Sequence, residues 1–204
     1  MDLQDGIVAQ FQNPQGMLGR MAGWVMAHRP SNRDRNRWTV DLLNIQPHDH
    51  VLEFGCGPGL GLQASLAQVT DGVVLGLDHS RTMLHQAEAR NRMALLDGRL
   101  HLQLGSLDEL SNLHERFDKI FSVNVIQFFD DKSSVFNTVH AHLKPNGIVA
   151  TTYMPRGRNP SRAKALTLAE EVKQPMEQIG FVRIRMEELP LKPVPAVCIL
   201  GARP

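Results

Sequence analysis

From Pro14 to Arg29 the apolar residues Met17, Leu18, Met21, Trp24 and Val25 recur at helical spacing, with Arg20 and His28 at the edge of the stripe. This predicts one amphipathic helix. Pro30 interrupts it, Ser31 or Asn32 offers an N-cap, and Trp38, Val40, Leu42, Leu43 and Ile45 carry a second helix to Pro47. After Pro47 the period changes to short apolar runs, Gly-rich or polar turns and helical stretches in regular alternation, the pattern of βα units. Strands are expected near 50–54, 73–78, 99–104, 117–123 and 147–152, with helices near 60–69, 80–95 and 132–143. Such units cross over right-handedly, so an α/β doubly wound sheet, mostly parallel, follows. A helix opened by Pro175 at its first position then leads to two strands, Phe181 to Glu188 and Ala196 to Gly201. The loop joining them carries Pro190, Pro193 and Pro195 and leaves no room for a crossover helix, so these two strands should form an antiparallel C-terminal pair in a sheet of seven. The expected organisation is an N-terminal helical lid over 1–47 and the α/β domain over 48–204.

The 204 residues, 42% of them hydrophobic, suffice for one core, which by size scaling buries roughly 70% of the unfolded surface. No apolar run approaches the ~18–20 residues of a membrane span. Asp2 and Asp5 stand where a signal peptide carries basic residues, so a cytoplasmic protein is expected. Cys56 and Cys198 are then expected as free thiols. His48 with His50, and His140 with His142, lack a third ligand nearby, so no metal site is expected. The net charge is +1, but it is unevenly spread. Arg20, Arg29, Arg33, Arg35 and Arg37 are accompanied by the single acid Asp34, and Arg156, Arg158, Arg162 and Lys164 by none. Two such segments create a local positive potential suited to an anionic partner, or else are solvated faces.

The chemistry concentrates in Val51-Leu52-Glu53-Phe54-Gly55-Cys56-Gly57-Pro58-Gly59-Leu60, an apolar strand followed by Gly-x-Gly-x-Gly before a helix. In open α/β sheets a ligand lies beyond the strand ends, where glycines let the backbone approach it closely. The dinucleotide fingerprint G-x-G-x-x-G fails here at Leu60, which disfavours an NAD-dependent dehydrogenase. Glu53, two residues before the first glycine, suits a cationic ligand, such as a sulfonium nucleoside, better than a pyrophosphate.

Glu53-Phe54-Gly55-Cys56-Gly57-Pro58-Gly59 resembles motif I of the class I S-adenosylmethionine-dependent methyltransferases. Asp78, ending Val73-Val74-Leu75-Gly76-Leu77-Asp78, matches the acid that holds the ribose hydroxyls in that Rossmann-like family. His79 and Ser80 would line the adenine and methionine side, Ser80 also serving as a helix cap. Leu104-Gly105-Ser106-Leu107 stands where the family often has Gly-Asp, so Ser106 would meet the adenine amino group with a hydroxyl in place of a carboxylate. Phe117 to Phe128 matches the fourth strand and its end, with Asn124 and Val125 flanking the methionine moiety. Leu143-Lys144-Pro145-Asn146-Gly147 resembles the turn into the fifth strand. The resemblance runs from about 50 to 204 and is nearest to small bacterial methyltransferases of the ubiquinone/menaquinone and "domain 11" type.

The resemblance implies S-adenosyl-L-methionine as cofactor and an in-line methyl transfer to a small-molecule or lipid-like acceptor, with an anionic acceptor as one option. Asn124-Val125-Ile126-Gln127 lacks the Pro-Pro-aromatic sequence of base-amine methylation, and the near-neutral charge disfavours nucleic acid. An RNA methyltransferase using the basic segments, and a cofactor-binding regulator without turnover, remain as alternatives. No catalytic base stands out; His28, His79 and Tyr153 are the candidates. On the acceptor side the candidates are Arg20, Trp24, Gln127, Tyr153 and Arg156, the basic segments 14–37 and 155–173 together forming a lid. The stripe of Met17, Met21 and Trp24 packs on the core or touches a membrane surface.

Overall fold

The computed structural model describes residues 30–112, 115–157 and 159–204. Helix α1 (Pro30–Leu43) leads to β1 (His50–Phe54), α2 (Leu60–Leu66), β2 (Val73–Asp78), α3 (Arg81–Arg90), α4 (Arg92–Leu96) and β3 (Leu100–Leu104). A 3-10 turn (Leu107–Asn112) then precedes β4 (Phe117–Val123), and a second (Ile126–Phe128) precedes α5 (Lys132–His142). The chain continues through β5 (Leu143–Tyr153), α6 (Arg162–Ile179), β6 (Val182–Leu189) and β7 (Ala196–Ala202).

The seven strands form one sheet in the order β3-β2-β1-β4-β5-β7-β6. Strands β1 to β5 pair in parallel, and β7 runs antiparallel to both β5 and β6. The expected α/β architecture and its antiparallel finish are therefore present. Strand order reverses between β1 and β4, and a crevice opens beyond the strand ends at such a switch point.

Alternation along the strands sorts side chains between two cores. Leu52, Phe54, Ile120, Val149, Val197 and Ile199 face one core, beneath α5 and α6. Val51, Phe121, Ala150, Cys198 and Leu200 face the other, with Val40 and Leu43 of α1 and Leu62 of α2. Helix α1 is thus part of the main packing. Buried Thr39 joins it to β5 through a 2.6 Å hydroxyl contact with Thr152. The outer strand β6 carries Arg183, Arg185, Glu187 and Glu188, charges that discourage edge-to-edge pairing.

Four local expectations need correction. Ser31 and Asn32 lie inside α1 and do not cap the described helix; the Asn32 carbonyl accepts from the Asn36 amide at 2.7 Å. The helix expected near 80–95 breaks at Asn91, whose buried amide donates to the carbonyls of Ala87 (3.0 Å) and Gly59 (3.2 Å). Strand β5 begins at Leu143, with Lys144-Pro145-Asn146-Gly147 bulging from it as the register jumps from Phe117↔Leu143 to Lys119↔Ile148.

Pro175 is the fourth. It lies within α6, which Ser161 caps by accepting from the Lys164 N–H and Gly180 ends at φ 102°. A mid-helix proline costs about 3 kcal/mol, but Ala165, Ala169, Val172 and Met176 bury one face of α6 on the sheet and hold the helix through it. That packing also withdraws much of the 155–173 segment from any lid, and Arg162 instead pairs with Glu188 of β6 at 2.8 Å.

Candidate functional site

The loop after β1 is fixed by its own backbone. The N–H groups of Gly55 and Cys56 both donate to the Leu77 carbonyl, at 2.7 and 3.1 Å, drawing the loop onto the end of β2. The glycines serve different ends. A Cβ on Gly55 would lie 2.5 Å from the Val125 side chain, and one on Gly59 would lie 2.9 Å from the Cα of Ala87. Those two positions are closed by packing. Gly57, at φ 52°, has nothing within 4 Å of a Cβ position, so its face of the loop is open.

Asp78 ends β2 beside that opening. Its Oδ2 accepts from the Gly57 N–H at 2.8 Å and its Oδ1 from the Ser80 N–H at 2.9 Å. Burial raises its pKa, against the pull of the two backbone bonds and of His79. Each oxygen keeps a further lone pair for a ligand hydroxyl. Ser80 caps α3, its hydroxyl accepting from the Met83 N–H at 3.4 Å, while His79 is exposed at the strand tip.

Glu53 faces α2, where a Cβ on Gly61 would collide with its carboxylate. Burial, then the charge of Asp78, pushes its pKa well above the usual carboxylate range, and a bond from the Leu62 N–H opposes this. Among the described residues Glu53 Oε2 has no hydrogen-bond partner. Cys56 is buried next to both acids, which add to the effect of burial in raising its thiol pKa.

At the end of β3, Gly105 donates to the Asp78 carbonyl at 3.0 Å. Leu107 turns its side chain into the core, and Ser106 is exposed. The Ser106 N–H donates to Glu109 Oε1 at 3.5 Å, and the same carboxylate overhangs Gly105. Glu109 was not singled out from the sequence, although Ser106-x-x-Glu109 is a capping-box spacing.

Across the switch point, Asn124 sits at φ 58°. Its Oδ1 accepts from the Met154 N–H at 2.8 Å, and its Nδ2 donates to the Met154 carbonyl at 3.2 Å. The amide therefore clamps β4 to the end of β5. Gln127 donates to the Asn124 carbonyl at 2.8 Å, and its Oε1 is buried with no partner among the described residues. Tyr153 is half-buried; burial and then Glu171 push its phenol pKa upward, leaving it protonated at neutral pH. Arg156 is exposed and reaches Ser31 Oγ at 3.5 Å. Arg20, Trp24, His28, Arg29 and Arg158 lie outside the described residues.

Arg35, in the sequence one cation of a basic run, turns inward in the structure. Its side chain is buried between α1 and β5, donating from Nη1 to the Met154 sulfur at 3.1 Å and from Nη2 to Asn32 Oδ1. Burial, then nearby Arg156, pushes its pKa down to about 9.

These residues fit a nucleoside carrying a positive charge. An acid with two free lone pairs ends β2, open space lies over Gly57, and a carboxylate with one oxygen unpartnered among the described residues lies below. Residues 51–147 match the model of a methyltransferase domain. An uncharacterized methyltransferase of Bacillus subtilis (strain 168) is 29% identical over 184 residues, spanning 90% of this chain and 98% of that protein. The 24-methylenesterol C-methyltransferase 2 of Oryza sativa subsp. japonica is 26% identical over 184 residues, spanning 82% of this chain and 50% of its own length. Among solved structures, Haemonchus contortus phosphoethanolamine N-methyltransferase 2, in complex with phosphomonomethylethanolamine and S-adenosylhomocysteine, superposes with a TM-score of 0.64 at 16% identity. That match covers 84% of this chain and 52% of the other.

Proposed function

Since the chain belongs to the class I S-adenosylmethionine-dependent methyltransferases, we propose that the crevice at the β1/β4 switch point holds the cofactor and that a small-molecule acceptor enters beside α1. When bound, S-adenosylmethionine supplies a sulfonium methyl group open to in-line displacement. Asp78 takes the ribose hydroxyls, its carboxylate already aimed by Gly57 and Ser80. Glu53 lies below the loop, where burial and Asp78 favour its protonated form; a sulfonium bound above it favours the ionised form instead. Gly55, Cys56, Gly57 and Gly59 form the floor, and Asn124 and Val125 form the far wall. Ser106 and Gly105 border the adenine, with His79 and Ser80 beside them and Leu107 backing the turn from the core. Glu109 brings to this loop the carboxylate that Ser106 lacks.

On the acceptor side, a phenol held protonated makes Tyr153 a hydrogen-bond donor and not a base. With His79 exposed at the strand tip, no residue of the described crevice is poised to remove a tightly held proton. The acceptor atom we propose is therefore one that attacks with its own lone pair at neutral pH. The work of the site is alignment and exclusion of water, which in favourable models supplies roughly 7–11 kcal/mol. Gln127 and Arg156 contact the acceptor, with Arg20, Trp24 and His28 of the segment before α1 as further acceptor-side candidates. The sterol relative is a precedent for a small-molecule acceptor. Two buried free thiols suit a reducing, cytoplasmic setting.

The observation that carries this reading is the bond from Gly57 to Asp78 at the one open face of the glycine loop. Isothermal titration of S-adenosylmethionine and its demethylated product into the protein and into Asp78→Ala tests it. Binding that weakens at least tenfold in the variant supports the assignment; equal binding, or none to the wild type, overturns it. Labelled methyl groups appearing in RNA and in no small molecule would overturn the acceptor half.

A further inference from the structure

Helix α1 buries a guanidinium that no carboxylate of the described residues neutralises. Arg35 is 2% exposed. Its Nη1 meets a thioether sulfur, a weak acceptor, and its Nη2 meets a neutral amide oxygen. Among the described residues its Nε has no partner at all. Holding a cation out of water without a counter-charge is strongly unfavourable, and the charge that acts on it among the described residues is a second cation, Arg156. Packing does not explain the choice of residue, since a methionine would fill the same volume without the charge.

The location is specific. Met154 follows β5 and is held by both ends of the Asn124 amide, so the Arg35 guanidinium rests on the clamp that closes the β4–β5 end of the crevice. Arg156 comes from the segment after β5 and touches Ser31 on the first described turn of α1. Two guanidinium groups thus converge on one end of the crevice from two elements. A planar guanidinium fork matches the oxygens of a carboxylate or phosphate, and Arg35 Nε is left without a partner among the described residues.

We propose that Arg35 and Arg156 form an oxyanion subsite that takes the carboxylate or phosphate group of the methyl acceptor. This deepens the methyltransferase reading above and rests on it for the identity of the bound molecule, while the anion site itself can be tested alone. The site selects acceptors that carry a negative group at a fixed distance from the methylated atom, and it rejects neutral analogues, because without the anion the buried cation stays uncompensated.

Inorganic phosphate and malonate, titrated separately by calorimetry, probe the two oxyanion chemistries. The wild type is expected to bind at least one, with affinity reduced at least tenfold in Arg35→Met and in Arg156→Gln. Arg35→Lys, which keeps the charge without the fork, should fall between. The stronger arm tells whether the acceptor carries phosphate or carboxylate. The inference is overturned if neither anion binds the wild type, or if both neutral variants bind as the wild type does. If Arg35→Met does not fold, the exposed Arg156→Gln decides the matter. S-adenosylmethionine titrated into the same samples separates the two readings: lost cofactor binding in the wild type sinks the functional reading, whereas intact cofactor binding with no anion binding sinks only the subsite.

Discussion

Asp78 and Gly57 are joined by a single 2.8 Å bond from backbone N–H to carboxylate, which fixes the tip of β2 against the loop that follows β1. The same carboxylate that is proposed to hold the ribose also sets the shape of the glycine turn. Asp78→Asn can replace only one of the two backbone bonds while its other end presents a donor to a donor. It should lose about 1–3 kcal/mol of stability as well as cofactor affinity, read by urea unfolding and calorimetry on the same sample. Unchanged stability with lost binding would show that the carboxylate serves the ligand alone.

The glycines should separate into structural and ligand-facing positions. Gly59→Ala forces a Cβ to within 2.9 Å of Ala87 at φ 79° and should cost about 2 kcal/mol or more. Gly57→Ala meets no protein atom within 4 Å and should cost only about 1 kcal/mol, yet weaken cofactor binding markedly. Denaturant midpoints and titrations on both variants check the contrast.

Glu53 should make the protein less stable as pH rises. Its native pKa lies well above the ordinary value because of burial and Asp78. As pH climbs through the ordinary glutamate range, the unfolded chain releases a proton that the native chain retains, so stability falls until the raised native pKa is passed. Glu53→Gln removes this slope. Unfolding free energies of both proteins from mildly acid to neutral pH should diverge, with the wild type losing ground; parallel curves would refute a Glu53 that burial holds protonated.

Asn124 combines a left-handed backbone with two bonds to Met154. Asn124→Ala loses both advantages and should cost about 2–4 kcal/mol, whereas Asn124→Gly keeps the backbone freedom and should cost about 1 kcal/mol less. Thermal or urea unfolding measures the difference.

Leu43→Ala should cost about 2–5 kcal/mol and leave a single unfolding transition, because Leu43 shares a core with β1, β4 and β7. Two separated transitions would mean that α1 folds apart from the sheet.

What the sequence made legible was whatever depends on neighbours in the chain. The runs ending in Phe54 and Asp78 announce strands because both faces are buried and the apolar stretch is continuous. The glycine turn and Asp78 stood out as a candidate site for the same reason, since their residue types are set by local backbone demands. Pro175 was misread because a local rule about helix starts ignores the core on which α6 rests. The break at Asn91 depends on a bond to Gly59, and the role of Arg35 on Met154, 119 residues away. In the sequence Arg35 is one more cation in a basic run; only packing shows that it faces inward and Arg37 outward.

Strand β7 has a consequence for synthesis as well as for shape. It enters the sheet between β5 and β6, both of which leave the ribosome before it. Until Ala196–Ala202 emerges, β5 presents a row of unsatisfied amides and carbonyls, and β6 has no neighbour to pair with. Vectorial folding therefore stalls one strand short of a closed sheet, and the nascent domain depends on its last segment to cover its most adhesive edge.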